Sequence, residues 1–175
     1  MTTSAEIVFP EIRIEQRDEQ PYVGATAAVT MDSFAPVADR FPEVFGWLAG
    51  RGLEPADAPF FRYRVIDMAA EMIVQAGVPL AAPVPADQDL SERGLEADVL
   101  PAGRYVTTTY VGHLSELVGV TGQLLQWAEE RGLTFDMHQS ERGEVWGSRL
   151  ELLWTDPSEV RPEENRTTLA FRLAD

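Results

Sequence analysis

Glu151 interrupts "RLELLW", a stretch otherwise apolar from Leu150 to Trp154, in a segment whose pattern reads as a strand. A carboxylate there is exposed on the open face of a sheet, paired with Arg149 or another cation, or buried for a chemical purpose. Buried among aromatic rings, it could bind a delocalised cation. The incoming charge offsets the carboxylate's desolvation, and the rings add apolar burial and cation–π attraction. Candidate walls for such a site are Tyr105, Tyr110, Trp146, Trp154, Phe61 and Tyr63. Strand alternation divides them: Tyr105 and Tyr110 have opposite parity, as do Glu151 and Trp154, so they cannot all share one face. Taken singly, each ring is better read as core than as ligand wall.

Other reactive combinations are missing from the sequence. There are no cysteines, and the two histidines, His113 and His138, are far apart, so neither a thiolate nor a His-based metal site is expected. His113 reads as a helix-capping or surface residue, and His138 falls in "TFDMHQSERGE", which reads as a mobile loop. No Gly-x-Ser-x-Gly elbow, phosphate-cradling loop or dinucleotide fingerprint occurs, and no cofactor is expected. Against 14 basic residues stand 29 acidic ones, a formal net charge of −15. Such a surface repels phosphate backbones and argues against direct nucleic-acid binding. There is no apolar run of membrane-spanning length and no basic, apolar leader in "MTTSAEIVFP", so a cytoplasmic protein without membrane partners is expected.

The elements that would position Glu151 occur twice. "FGWLAGRGLE" at 45–54 returns as "LQWAEERGLT" at 125–134, a Trp-x-x-x-Arg-Gly-Leu pattern repeated at a spacing of 80. Arg-Gly-Leu is helix-ending grammar: a cation at the C-terminus, a glycine in the left-handed position, then an apolar residue folding back. Ahead of the first copy, Phe34, Val37, Phe41, Val44, Phe45 and Leu48 predict a helix over about 33–50, capped by Asp32 or Ser33. Pro42 predicts a kink or a non-helical lead-in. Ahead of the second, Leu114, Leu117, Val118, Thr121, Leu124, Leu125 and Ala128 predict a helix over about 114–131. Trp47 and Trp127 read as anchors of helix to sheet.

Each helix follows a strand opening with Tyr-Val, "YVGATAAVT" at 22–30 and "YVTTTYVG" at 105–112. Shorter strands precede these, "EIRIEQR" and "LEADVL", so each half is expected to open with a hairpin turned by "DEQP" or "PAG". After each helix come two more extended segments, "FFRYRVI" and "EMIVQAGVPL", then "VWGSRLELLW" and "TTLAFRL". One domain over 1–175 is expected, with halves at about 11–80 and 95–175 joined by an exposed Ala/Pro/acidic linker, 81–94. Neither half covers its own sheet edge, so the expectation is one joint antiparallel sheet with both helices on one face and a central groove between them.

The segments "VQAGVPL", "VLPAGRYVTTTYVG", "LLQWAEERGL" and "RLELLWTDPSEVRPEENRTTLAFRL" resemble, in order and spacing, the GyrI-like small-molecule-binding domain, also called the AraC-type effector-binding domain. The resemblance runs from about residue 9 to 175. It implies an α+β fold, a tandem βαββ repeat of SHS2 type with pseudo-two-fold symmetry, whose central pocket takes amphipathic, often cationic aromatic compounds. In the family's Glu-x-aromatic-x-x-Asp-Pro motif the glutamate lies in the pocket; here it corresponds to Glu151, ahead of Asp156 and Pro157. This chain departs from the motif at Leu153, where an aromatic is usual, and Trp154 stands next to it.

Three functions then compete. The first is a stand-alone binding protein, monomer or homodimer, that sequesters amphipathic drugs or toxins; the fold is expected to start too near Met1 for a preceding DNA-binding module. The second is suggested by family members that hydrolyse cyclopropanoid natural products, with Glu151 as general base and Tyr105 or Tyr110 donating to a conjugated carbonyl. The third is contact with DNA gyrase, the activity of the family's namesake.

Overall fold

The computed structural model describes residues 10–30, 32–67, 71–85 and 87–175. Strands β1 (Arg13–Arg17) and β2 (Gln20–Val29) lead to helices α1 (Ala35–Ala38) and α2 (Phe41–Gly50), then strands β3 (Phe60–Ile66) and β4 (Met72–Pro79). Helix α3 (Gln88–Glu92) connects to β5 (Glu96–Leu100) and β6 (Gly103–Val111). Helix α4 (Leu117–Glu130) follows, then β7 (Met137–Ser140), β8 (Gly143–Trp146), β9 (Arg149–Leu153) and β10 (Arg166–Arg172).

All strands join one antiparallel sheet in the order β1-β6-β10-β9-β3-β4-β2-β5, with β7 and β8 attached beside β3. If β1–β4 are exchanged with β5, β6, β9 and β10, this order reads the same from the other end, so the duplication seen in the sequence is a pseudo-two-fold axis of the fold. It passes between β3 and β9.

The opening strands do not form hairpins. β1 pairs with β6 and β5 pairs with β2, so each half lends its first strand to the other. Arg17 faces Gly103 and Gln20 faces Leu100 in one continuous register across both connectors. The segments "DEQP" and "PAG" therefore carry the chain onward instead of reversing it. The inner edges of the halves, β3 and β9, pair with each other; the crossed pairing joins the outer strands as well and so ties the halves together a second time.

The first predicted helix is two. Pro36 and Pro42 each sit in the first turn of a helix, where a missing N–H costs nothing, and the chain breaks between α1 and α2 at Asp39 and Arg40. Phe34 takes the cap position of α1, while Ser33 Oγ accepts from the Ala35 N–H at 3.4 Å. A 3-10 turn over Leu114–Glu116 opens the second helix, with Glu116 Oε1 accepting from the His113 N–H at 3.1 Å.

Arg-Gly-Leu closes α2 and α4 as expected. Gly52 and Gly132 have φ of 68° and 67°, and the Leu53 and Leu133 N–H groups reach back to the Leu48 and Ala128 carbonyls at 2.9 and 3.0 Å. A third copy, Arg93-Gly94-Leu95, ends α3 in the same way, with φ of 69° at Gly94 and Leu95 N–H to the Leu90 carbonyl at 2.8 Å. The segment read as an exposed linker thus carries a helix whose Leu90 is buried under α2. The loop around His138 is the β7–β8 ladder, with His138 opposite Val145. The extended segment 145–154 is broken at Gly147–Ser148 into the end of β8 and β9, both of which pair with β3.

The helices pack on one face of the sheet. Val37, Leu117, Val120 and Leu124 bury against β2, β3, β4, β6 and β10, while Val44, Trp47 and Leu48 join Val23, Val78 and Leu90. Trp47 anchors α2 to α3 through Nε1–H to Asp89 Oδ2 at 2.9 Å, and Trp127 packs on the core beneath the Arg131 guanidinium. No helix among the described residues is long and apolar enough to cross a membrane.

The opposite face has a core of its own, made of Tyr22, Phe60, Leu100, Tyr105, Leu150, Leu152 and Ala170. Tyr22 and Phe60 meet edge to face at 5.1 Å, and the far end of the Phe60 ring lies against Gly77, where a Cβ would fall 2.5 Å from it. Gly77→Ala is therefore expected to lower stability by about 1–3 kcal/mol, the usual cost of overpacking. Gly46→Ala, on the open side of α2 with nothing within 4 Å of the new methyl, should raise it by about 0.5–1 kcal/mol. Urea denaturation of the two variants checks both signs.

Candidate functional site

Where β3 and β9 meet, Phe61 faces Glu151, and on its other side Glu151 faces Leu169 of β10. Alternation sends Arg149, Glu151 and Leu153 toward the helices and Leu150 and Leu152 into the opposite core. The two helices flank this seam without covering it, leaving a cavity of about 1140 Å³. Its floor includes Phe61, Tyr63, Arg149 and Glu151, and its sides come from α1–α2, α4 and the loop 154–158. One wall is a run of touching rings: Phe34 and Phe41 lie 5.7 and 5.4 Å from Phe61, and Phe34 lies 6.1 Å from Tyr63. Phe45, Leu114, Val118 and Trp154 remain exposed around the mouth, an apolar lip on a strongly acidic protein.

Glu151 is half-buried in this floor and accepts a hydrogen bond from the Tyr63 hydroxyl at 2.8 Å. Burial pushes its carboxyl above the usual range; the Tyr63 hydrogen bond and the nearby Arg149 charge pull it part of the way back. The Tyr63 hydroxyl is pushed well above its ordinary value, first by burial and then by the adjacent carboxylate, so it stays a donor.

Arg149 shares the face but makes no ion pair with Glu151. Its guanidinium lies over three rings, with centroids at 4.4 Å for Phe171, 4.7 Å for Trp146 and 5.7 Å for Tyr63. Burial lowers its proton affinity. Asp156 has a local task, accepting from the Ser158 N–H at 2.8 Å and its hydroxyl at 2.6 Å, which holds its carboxyl low and shapes the turn after β9.

Of the residues singled out in the sequence, Glu151, Phe61 and Tyr63 meet at this cavity; Trp154 stands at its edge, its indole N–H donating to Thr168 Oγ1 at 2.8 Å. Tyr105 does not. It lies in the opposite core, its hydroxyl donating to the Pro101 carbonyl at 2.7 Å and lying 2.9 Å from Ser148 Oγ. Tyr110 is on the helix side but is not part of the lining; its ring is turned over Gly112 and its hydroxyl toward Glu116. Trp146 packs behind the floor at steep angles against Phe135 and Phe171, with the Arg149 guanidinium over its ring. By periodicity Phe34, Phe41 and Phe45 read as helix core; three phenylalanines on one short face are the signal that marks them as a wall. Arg149 was seen only as a partner for Glu151.

No family model and no curated protein sequence matches the chain. Solved structures do. The EcmrR C-terminal domain is similar with a TM-score of 0.70 at 16% identity, over 95% of this chain and 98% of that one. A hydrolase from Listeria innocua gives 0.65 at 13% identity, over 95% and 93%. SAV2435 bound to tetraphenylphosphonium gives 0.55 at 10% identity, over 94% of each. The fold is GyrI-like. At these identities the likeness is one of architecture.

A glutamate with a raised folded-state pKa stabilises the fold at low pH relative to its ionised form, and that stability is lost as pH rises through the raised value. Glu151→Gln keeps an acceptor for Tyr63 and removes the buried charge. Its Tm should exceed that of the parent at neutral pH by a few degrees, since about 1 kcal/mol shifts Tm by about 2–4 °C in chains of this size. The gap should close as pH falls below about 4.3, the ordinary range of a glutamate. Melting curves at a series of pH values measure this.

Proposed function

We propose that the groove binds amphipathic aromatic small molecules through a cationic group held by Glu151. The observation that carries this reading is a carboxylate on the floor of an aromatic-walled cavity, bonded by a tyrosine hydroxyl and without an ion pair among the described residues. Leaving such a group in an apolar groove is costly, and a delocalised cation offsets that cost where water is scarce. The ring wall of Phe34, Phe41, Phe61 and Tyr63 adds cation–π attraction of about 0.5–2 kcal/mol per well-placed face. The apolar lip suits the uncharged part of such a ligand. The architecture shared with SAV2435, a protein seen with a lipophilic aromatic cation bound, supports the same ligand class.

Titration with rhodamine 6G, followed by fluorescence anisotropy, tests this. The parent protein should bind the dye, and Glu151→Gln should weaken binding roughly 10- to 100-fold, as expected for an interaction with a charged group worth about 1.5–3 kcal/mol. Parent affinity should rise with pH through the raised Glu151 pKa, while the variant stays flat. Equal binding by the two proteins at neutral pH would remove Glu151 from the reading.

A second reading, water addition to a strained cyclopropane, is favoured by the Tyr63–Glu151 pair. A carboxylate whose pKa burial has raised is a stronger base toward water, and Tyr63 holds that carboxylate in place on the groove floor, whereas Tyr105 lies across the sheet. A hydrolase of Listeria innocua shares the architecture. Incubation with a cyclopropane-bearing alkylator should then give a product heavier by one water, seen by mass spectrometry, and Glu151→Gln should abolish it. An unhydrated alkylator after prolonged incubation with the parent protein leaves the binding reading alone.

A further inference from the structure

Arg149 has no part in the reading above, yet it lines the same cavity two residues from Glu151 on the same strand face. Its situation is unusual for a guanidinium. Rings of Phe171, Trp146 and Tyr63 surround it, and ring contacts of this kind satisfy none of its N–H donors. The Nε is buried and has no hydrogen-bond partner, and no other hydrogen bond from the guanidinium to a protein acceptor occurs among the described residues. The two carboxylates whose fields reach it are engaged elsewhere. Glu144 Oε1 accepts from Trp146 Nε1–H at 3.2 Å, and Glu151 Oε1 accepts from the Tyr63 hydroxyl. The cavity therefore presents a charged donor set without an acceptor beside a carboxylate without a cation.

We propose that Arg149 makes the groove a receptor for dipolar aromatic ligands, compounds carrying a carboxylate or another strongly accepting oxygen for Arg149 as well as the cationic group for Glu151. The inference rests on the reading of the groove as a binding site and narrows its ligand class. Two residues along a strand span about 6.5–7 Å, so the two recognition groups stand about one fused ring system apart. A ligand bearing only positive charge gains at Glu151 and is repelled at Arg149. A ligand bearing both charges gains at each end, and its acceptor takes up donors that the protein leaves unpaired. Arg149 then sets specificity, and the aromatic support beneath it keeps it from folding onto Glu151 and cancelling both sites.

Rhodamine B and its ethyl ester provide the test, because they share one cationic ring system and differ in a free carboxylate against an ester. The parent protein should bind rhodamine B at least 10-fold more tightly than the ester. Arg149→Met should bring the ratio close to one and bind the ester more tightly than the parent does. Arg149→Lys, which keeps the charge and loses the planar fork, should retain part of the preference, and circular dichroism melting establishes that each variant is folded. Equal binding of both dyes by the parent, or an unchanged ratio in folded Arg149→Met, overturns the inference and leaves Glu151-dependent binding standing. Binding of neither dye overturns the reading of the groove and this inference with it.

Discussion

The seam between β3 and β9 is the constraint on which the molecule depends. Only Phe60–Arg62 pair with Leu150–Leu152 there, helped by β8 farther along β3. Because the pseudo-two-fold passes through the seam, the helix of each half is carried to its own side, and the sheet is left without a helical cover at its middle. A gap between layers normally fills with side chains from both. Here Phe61 and Glu151 face each other at the gap, and the nearest cover is a set of rings from α1 and α2 on one side and aliphatic residues of α4 on the other. The cavity is thus a product of the duplication.

The chemistry of the floor follows from a single strand. On β9 one face is wholly apolar, Leu150 and Leu152, and completes the second core; the other carries Arg149, Glu151 and Leu153. Two opposite charges in such a position would ordinarily collapse into a pair. Aromatic faces hold the guanidinium and a phenol holds the carboxylate, which keeps them apart. Each is more costly alone than paired, and the rings of Trp146 and Phe171 are the structural investment that maintains the separation.

Much of this was legible in the residues. The periodicity of Phe34–Leu48 and Leu114–Ala128 located the helices, Arg-Gly-Leu located their ends, and Glu151 stood out as a charge in an apolar run. Strand parity warned that Tyr105 and Tyr110 could not both face one way, and Tyr105 indeed lies across the sheet. What the residues did not reveal is long-range. "DEQP" and "PAG" have turn composition, and composition alone does not distinguish a chain that reverses from one that passes straight through to pair elsewhere. Likewise, the isolation of Arg149 from Glu151 depends on Phe171 and Trp146, which lie on other strands. The short helix α3 was within reach, since Arg93-Gly94-Leu95 repeats the signal already recognised twice.

The crossed outer strands also dictate the order in which the chain can assemble. β3 and β4 are near neighbours in sequence and can pair as soon as both exist, but Arg13 waits for Thr107 and Gln20 for Leu100. Strand β1 therefore stays unpaired until the segment through β6 has followed it. Closing a loop of that size late is entropically slow, which places the protein among chains whose folding rate is limited by distant contacts despite two well-formed helices. During that interval β1 is an exposed strand, and its sequence, "RIEQR", alternates charge along an otherwise adhesive edge.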